Sequence, residues 1–318
     1  MTMRWENYLG KDPALYARRV LKECGLKGPP ICELTVIDYL GLELKEITRE
    51  LIHSGVGASP PSPELLSYFR TEGAWLQRNH GGKDIIWVYR HAPLGRKRVS
   101  IFHECGHAIL PGHAGLNYLC RDKNLDPPLR SRLEREAFLC GSEFLLPREM
   151  FVPDTLSLEI GMAAVERLRD RYRASLEATA VWYAQTHPGP CALATIKPAG
   201  NRKARALLDD HHRPAQLLFP FEFPSPLGPA QDESRDLLKV KYFVKSRRFP
   251  EYIRPGRRIR EGNPLFEVAI AGKPFKCEIW GSISEASPKI AYHVECIPRG
   301  EMALILIWLP DAQLRFEY

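Results

Sequence analysis

The sequence predicts an α+β protein, with helices and a small sheet in its N-terminal half and an antiparallel sheet at its C-terminal end. Three observations lead there. Before residue 186, apolar residues recur mainly at helical spacing, broken by short strand-like runs at 42–47, 74–78 and 84–90. Residues 198–235 are polar and proline-rich, with Pro220, Pro224, Pro226 and Pro229, as a linker would be. Beyond them apolar and polar residues alternate with period two, the pattern of strands with one buried face.

Each element follows from local pattern. Pro13 to Cys24 places Ala17, Val20, Leu21 and Cys24 in helical register. Ile31 to Leu40 forms a second helix, closed by Gly41, and Leu42 to Ile47 a strand. Residues 53–63 are rich in Gly, Ser and Pro and read as a loop. Ala74 to Arg78 and Asp84 to Arg90 read as strands joined by a turn at Asn79-His80-Gly81-Gly82, with Trp75 and Trp87 expected in the core. A helix spans about Gly95 to Leu110. Another carries Leu129, Leu133, Ala137, Cys140 and Phe144 as its apolar stripe, after Asp126-Pro127-Pro128 and before Leu146-Pro147. Pro153 to Gln185 is helical again, with a tight turn at Tyr172-Arg173-Ala174-Ser175, so the unit resembles a helix-turn-helix. Its second helix, Ser175 to Gln185, has no Lys or Arg, whereas a helix that reads bases supplies basic or amide side chains. The unit therefore reads as a structural connector, although Arg167, Arg169, Arg171 and Arg173 leave DNA phosphate contact open. After the linker, Leu238 to Lys245, Phe275 to Trp280, Ile290 to Cys296 and Ala303 to Leu309 read as strands with few helices to cover them. The expected organisation is a first domain at 1–152, the helix-turn-helix-like unit at 153–197, the linker at 198–235 and a sheet domain at 236–318.

Chemistry concentrates in Phe102-His103-Glu104-Cys105-Gly106-His107, which reads HExxH on a predicted helix. Residues four apart share a helix face, so His103 and His107 can aim two imidazoles at one point. Glu104 lies close enough to reach a water held there. That is the arrangement of a zinc-dependent hydrolase, with Zn²⁺ as cofactor and Glu104 as proton acceptor. Val99, Phe102, Gly106, Ile109 and Leu110 mark the helix as buried, and burying these polar groups is costly unless something pairs them. A catalytic zinc needs a third protein ligand. Glu134 borders the apolar stripe of the following helix, where it reads either as that ligand or as a solvated carboxylate. Glu136 points about half a turn away, and His113 follows the helix-ending Pro111-Gly112. Cys105 is offset from the metal face and reads as a small packing residue.

Composition narrows the class further. The 318 residues suit two or three domains, and 44% hydrophobic with 26% charged residues is ordinary for a globular protein. Neither a signal peptide nor a membrane span is expected: the longest apolar run, Met302 to Leu309, is a strand's length. Eight cysteines without a Cys-x-x-Cys pair read as reduced thiols in a cytoplasm. The net charge of +7 gathers partly in Arg202-Lys203-Ala204-Arg205, Lys245-Ser246-Arg247-Arg248 and Arg257-Arg258-Ile259-Arg260. These read first as solvated loops and edges; contact with DNA or an acidic partner is permitted but not favoured.

The run from Arg96 to Leu110, RKRVSIFHECGHAIL, resembles the signature of the IrrE/ImmA family of bacterial and phage metallopeptidases, roughly RxRFTLAHExGHxxL. That family continues with a helix of the form ExxANxFAxxLLMP, and Glu134 to Pro147 here reads EREAFLCGSEFLLP. Aligned on the terminal Leu-Pro without a gap, the family's ligand glutamate falls on Glu134 and its alanine on Ala137. Two departures stand out: Phe102 replaces the usual Ala, and Phe138 the usual Asn or Asp. A polar group at 138 would orient a metal-bound histidine, so another group takes that part here or the zinc is held less well. The resemblance implies a zincin-like domain in which His103, His107 and Glu134 hold zinc and Glu104 is the catalytic base. It implies a helix-turn-helix repressor as substrate, cut to release stress-response or mobile-element genes. It also implies a GAF-like sensor at the C-terminus, open to a small-molecule or other signal. His113 and Tyr118 are the candidates for a second oxyanion donor. The alternatives are a transcriptional regulator with structural zinc and an anti-repressor that acts by binding alone.

Overall fold

The computed structural model describes residues 12–48, 73–79, 81–113, 127–198, 238–271, 274–281, 283, 290–299 and 302–310. They fall into two compact units, one within 12–151 and 169–178, the other within 152–168 and 179–310. The fold is α+β. The expected loop at 53–63, His80 of the expected turn, Tyr118 and nearly all of the expected linker lie outside the described residues.

The first unit begins with α1 (Ala14–Glu23) and α2 (Glu33–Tyr39). α1 buries Ala14, Tyr16, Ala17, Val20 and Leu21; Cys24, expected in the same stripe, is its half-buried C-cap. Gly41, at φ 68°, ends α2 as expected, because a left-handed residue lets Leu42 N–H return to Ile37 O at 3.0 Å. Three strands follow: β1 (Glu43–Ile47), β2 (Ala74–Gln77) and β3 (Ile85–Tyr89), in the order β1-β3-β2. β1 runs parallel to β3, and β2 antiparallel to it. Ala74, Leu76, Ile86 and Val88 are buried, whereas Trp75 and Trp87 are only half-buried and sit directly opposite each other. The expectation of core tryptophans fails for a simple reason: alternation puts them on the other face of the sheet from that buried set. There Trp87 Nε1 donates to Gln77 Oε1 at 2.7 Å.

α3 (Leu94–Ile109) carries the HExxH residues and is buried on nearly every side. α4 (Pro127–Leu145) crosses it, burying Leu133, Ala137, Cys140 and Phe144 as the stripe predicts. Two glycines set the closeness of the crossing. A Cβ on Gly106 would lie 2.7 Å from Ala137 O, and one on Gly141 would lie 2.8 Å from His103 N. Phe102 is fully buried against Phe144, ring centroids 5.8 Å apart. Burying such a ring contributes roughly 1.5–3 kcal/mol. Arg98, also buried, pairs with Glu33 and donates to Ile31 O at 2.7 Å, tying α3 to the α2 region. α5 (Arg148–Leu156) starts earlier than expected, with Pro153 inside it rather than at its start. The Glu143 carboxylate accepts Arg148 N–H at 3.0 Å and Arg18 Nε–H at 2.9 Å, so the helix start has an anionic cap.

α6 (Met162–Tyr172) and α7 (Leu176–Thr186) are the expected helix pair. Ser175 Oγ accepts Ala178 N–H at 3.1 Å and caps α7. The second unit holds a six-stranded antiparallel sheet of β4 (Cys191–Pro198), β5 (Leu238–Lys245), β6 (Arg258–Ile259), β7 (Phe275–Gly281), β8 (Ile290–Arg299) and β9 (Met302–Trp308). Its order is β6-β5-β4-β9-β8-β7. β5, β7, β8 and β9 match the expected strands. β4 and β6 had no strand expectation, and neither did α8 (Pro264–Ile270) a helical one. α8 is capped by Asn263, whose side chain accepts Leu265 N–H, and it packs Leu265, Phe266, Val268 and Ala269 into the core beside one face of the sheet.

Candidate metal centre

The site is built where α3 meets α4. His103 and His107 project from one face of α3, one turn apart, and Glu134 reaches them from α4. His103 Nε2 lies 3.1 Å from His107 Nε2 and 3.2 Å from Glu134 Oε2; His107 Nε2 lies 3.8 Å from the same oxygen. The three donor atoms thus lie within 4.8 Å of one another. Tetrahedral ligands about 2.0–2.1 Å from a zinc ion stand about 3.3–3.4 Å apart. The three separations bracket that value, so two nitrogens and one carboxylate oxygen fit a small divalent cation.

Electrostatics agree with that use. Burial pushes the pKa of His107 down to about 4, against the opposing pull of Glu134, so the ring is neutral and offers a lone pair at neutral pH. Burial also lowers His113. For Glu134 burial acts upward, but hydrogen bonding to His103 and His107 outweighs it and holds the carboxyl below its usual range, ionised.

Glu104 is buried on the same helix, and its Oε2 accepts Leu76 N–H from β2 at 3.1 Å. Tyr89 N–H bonds to Gly73 O, so Gly73 and, in β2, Trp75 and Gln77 face β3 with their backbone groups. Leu76 N–H consequently points away from the sheet and toward the carboxylate. This anchor is a backbone group, invisible to any side-chain motif.

One residue occupies a place other than that the sequence indicates. His113 is not at the open side of the cluster, where an oxyanion donor would stand. It is buried, 2% exposed, behind His107, with the two Nδ1 atoms 3.0 Å apart. Gly112, at φ 84°, turns the chain back so that His113 N–H reaches Leu110 O. Glu136 does face away from the three donors, as its offset requires, but it meets His113 Nε2 at 3.3 Å and Arg132 Nε at 2.7 Å. Arg78 is a further supporting residue. It donates to the His107 carbonyl at 2.7 Å while pairing with Asp84 at 2.7 Å, linking the β2–β3 hairpin to the last turn of α3. Cys105 is fully buried in the packing between these elements.

The geometry offers a site of two histidines and one carboxylate for a divalent cation. Residues 63–181 match the peptidase M78 family model, described as the IrrE N-terminal-like domain, in line with the resemblance to the IrrE/ImmA family. That family is of metallopeptidase type and generally metal-dependent. A solved structure described as a Mycobacterium tuberculosis transcriptional regulator aligns over 93% of this chain and 75% of its own, at 12% identity and a TM-score of 0.48. No curated protein matches the chain. Among the described residues no helix is long and apolar enough to cross a membrane.

Proposed function

We propose that this chain is a cytoplasmic zinc-dependent peptidase that cleaves a helix-turn-helix repressor and so releases stress-response or mobile-element genes. The observation that carries the reading is the convergence of His103, His107 and Glu134, with Glu104 anchored beside them on the same helix. The three converging groups would hold the zinc. A bound zinc supplies Lewis-acid chemistry, lowering the pKa of a water and polarising a carbonyl. Glu104 takes the proton of the attacking water and returns it to the leaving amine nitrogen. Leu76 N–H keeps one carboxylate oxygen pointed, so proton transfer needs no prior reorientation of the side chain.

α7 supports the connector reading of the helix pair, because every residue from Leu176 through Ala184 is buried. A helix enclosed in this way has no face to lay in a DNA groove. The antiparallel sheet, with α8 packed beside one face, is compatible with a GAF-like sensor. The test of the metal reading is elemental analysis of the purified protein. About one zinc per chain is expected, absent from His103→Ala and His107→Ala. A wild-type chain that stays metal-free after zinc is supplied at neutral pH rules the reading out.

A further inference from the structure

We propose that His113 is a positioning residue for His107, fixed in its own turn by Glu136, and that this chain of contacts replaces the polar group missing at Phe138. The inference rests on the metal reading above and concerns what stands behind the ligand.

The proton positions follow one from another. His107 Nε2 faces His103 and Glu134, so to offer a lone pair there it must carry its proton on Nδ1. That atom lies 3.0 Å from Nδ1 of His113, which must then accept. A neutral His113 that accepts at Nδ1 carries its proton on Nε2, and Nε2 lies 3.3 Å from Glu136 Oε2. As a carboxylate Glu136 can only accept, and Arg132 holds its other oxygen at 2.7 Å. The donations run from His107 to His113 to Glu136, and Arg132 donates to Glu136 from the other side, so every group in the series meets a partner of the opposite kind. The opposite tautomer of His113 would set two N–H groups against each other at His107 and two acceptors against each other at Glu136. Because His113 is 2% exposed, its ring nitrogens depend on these partners.

A bond of this kind orients a metal-binding imidazole and raises its basicity, an effect of roughly 10–100-fold in metal affinity. A histidine that merely fills space would have no such effect. Zinc affinity, measured by chelator competition on the full chain, is therefore expected to fall roughly 10–100-fold in His113→Phe. It is expected to recover most of that loss in His113→Asn, whose amide oxygen can accept from His107. Unchanged affinity in His113→Phe, or a loss in His113→Asn equal to that in His113→Phe with the apo fold intact, overturns the proposal. The wild type supplies an independent reading through ring ¹⁵N shifts of the metal-free protein. Protonation at Nδ1 of His107 and at Nε2 of His113 is expected; protonation at Nδ1 of His113 overturns the assignment. These results stand apart from failure of the metal reading: wild-type protein that binds no zinc at all sinks both, whereas wild-type binding with an indifferent His113 sinks this inference alone.

Discussion

Replacing Gly106 by alanine asks how closely the crossing of α3 and α4 sets the donor cluster. A Cβ there would lie 2.7 Å from Ala137 O and 3.2 Å from Ala137 Cα, both backbone atoms, so no rotamer change can clear the space. Gly106 precedes His107 directly, and Ala137 stands about one turn beyond Glu134 on α4. Bringing the oxygen contact to 3.4 Å, where ordinary contact begins, parts the helices by about 0.7 Å. Overpacking of this kind costs about 1–3 kcal/mol. The higher helix propensity of alanine returns about 1 kcal/mol. The net loss of stability is then at most about 2 kcal/mol, read as a modest fall in the denaturation midpoint. The effect on metal is larger in proportion, because ligand distances must hold to about 0.2 Å. Zinc affinity in chelator competition should fall by about tenfold or more, a loss like that of an outer-shell partner. A Gly106→Ala protein as stable as the wild type and holding zinc as tightly would refute the argument that this close approach sets the site.

Other consequences follow from the same geometry. Glu134→Ala should abolish zinc retention, whereas Glu136→Ala should only weaken it, since one carboxylate joins the donor cluster and the other backs His113; a reversed order in elemental analysis would count against the assignment. In chelated protein, His107 is neutral when folded, with a pKa near 4, and takes up a proton near 6.5 when unfolded. Stability from this group is full above about pH 6.5 and declines as pH falls toward 4, by about 3 kcal/mol in all. His113 acts in the same direction. A flat melting temperature between pH 7 and 4.5 would contradict this. Arg78→Ala should lower stability by about 1–3 kcal/mol through loss of a charged hydrogen bond to His107 O, measured by urea denaturation.

Much of this site was legible because the HExxH spacing and the helical stripe around Glu134 are local patterns. The first six elements and the later strands β5, β7, β8 and β9 announce themselves by periodicity and by turn residues such as Gly41. β4 did not. It lies between β5 and β9, and Cys191, Ala192, Leu193, Ala194, Thr195 and Ile196 are all buried, so no alternation marks it. α8 is a single short helix between strands, and its Asn263-Pro264 start passes for a turn signal. His113 was misplaced because its position depends on a turn at Gly112 and on its packing behind His107, neither of which a spacing rule encodes. The same holds for Leu76, whose contribution is a backbone N–H.

The central claim is peptide hydrolysis with Glu104 as base. The direct measurement is the intact mass of a helix-turn-helix repressor from the same genome, co-expressed with the wild type or with Glu104→Gln. Glutamine is nearly isosteric but cannot take the proton, so the variant should keep its zinc, bind the repressor and lose roughly 10²–10⁴-fold or more in cleavage. The account predicts a shortened repressor with the wild type and an intact one with Glu104→Gln. A repressor left intact by both, with repression relieved equally, would contradict hydrolysis and leave binding alone as the means of action.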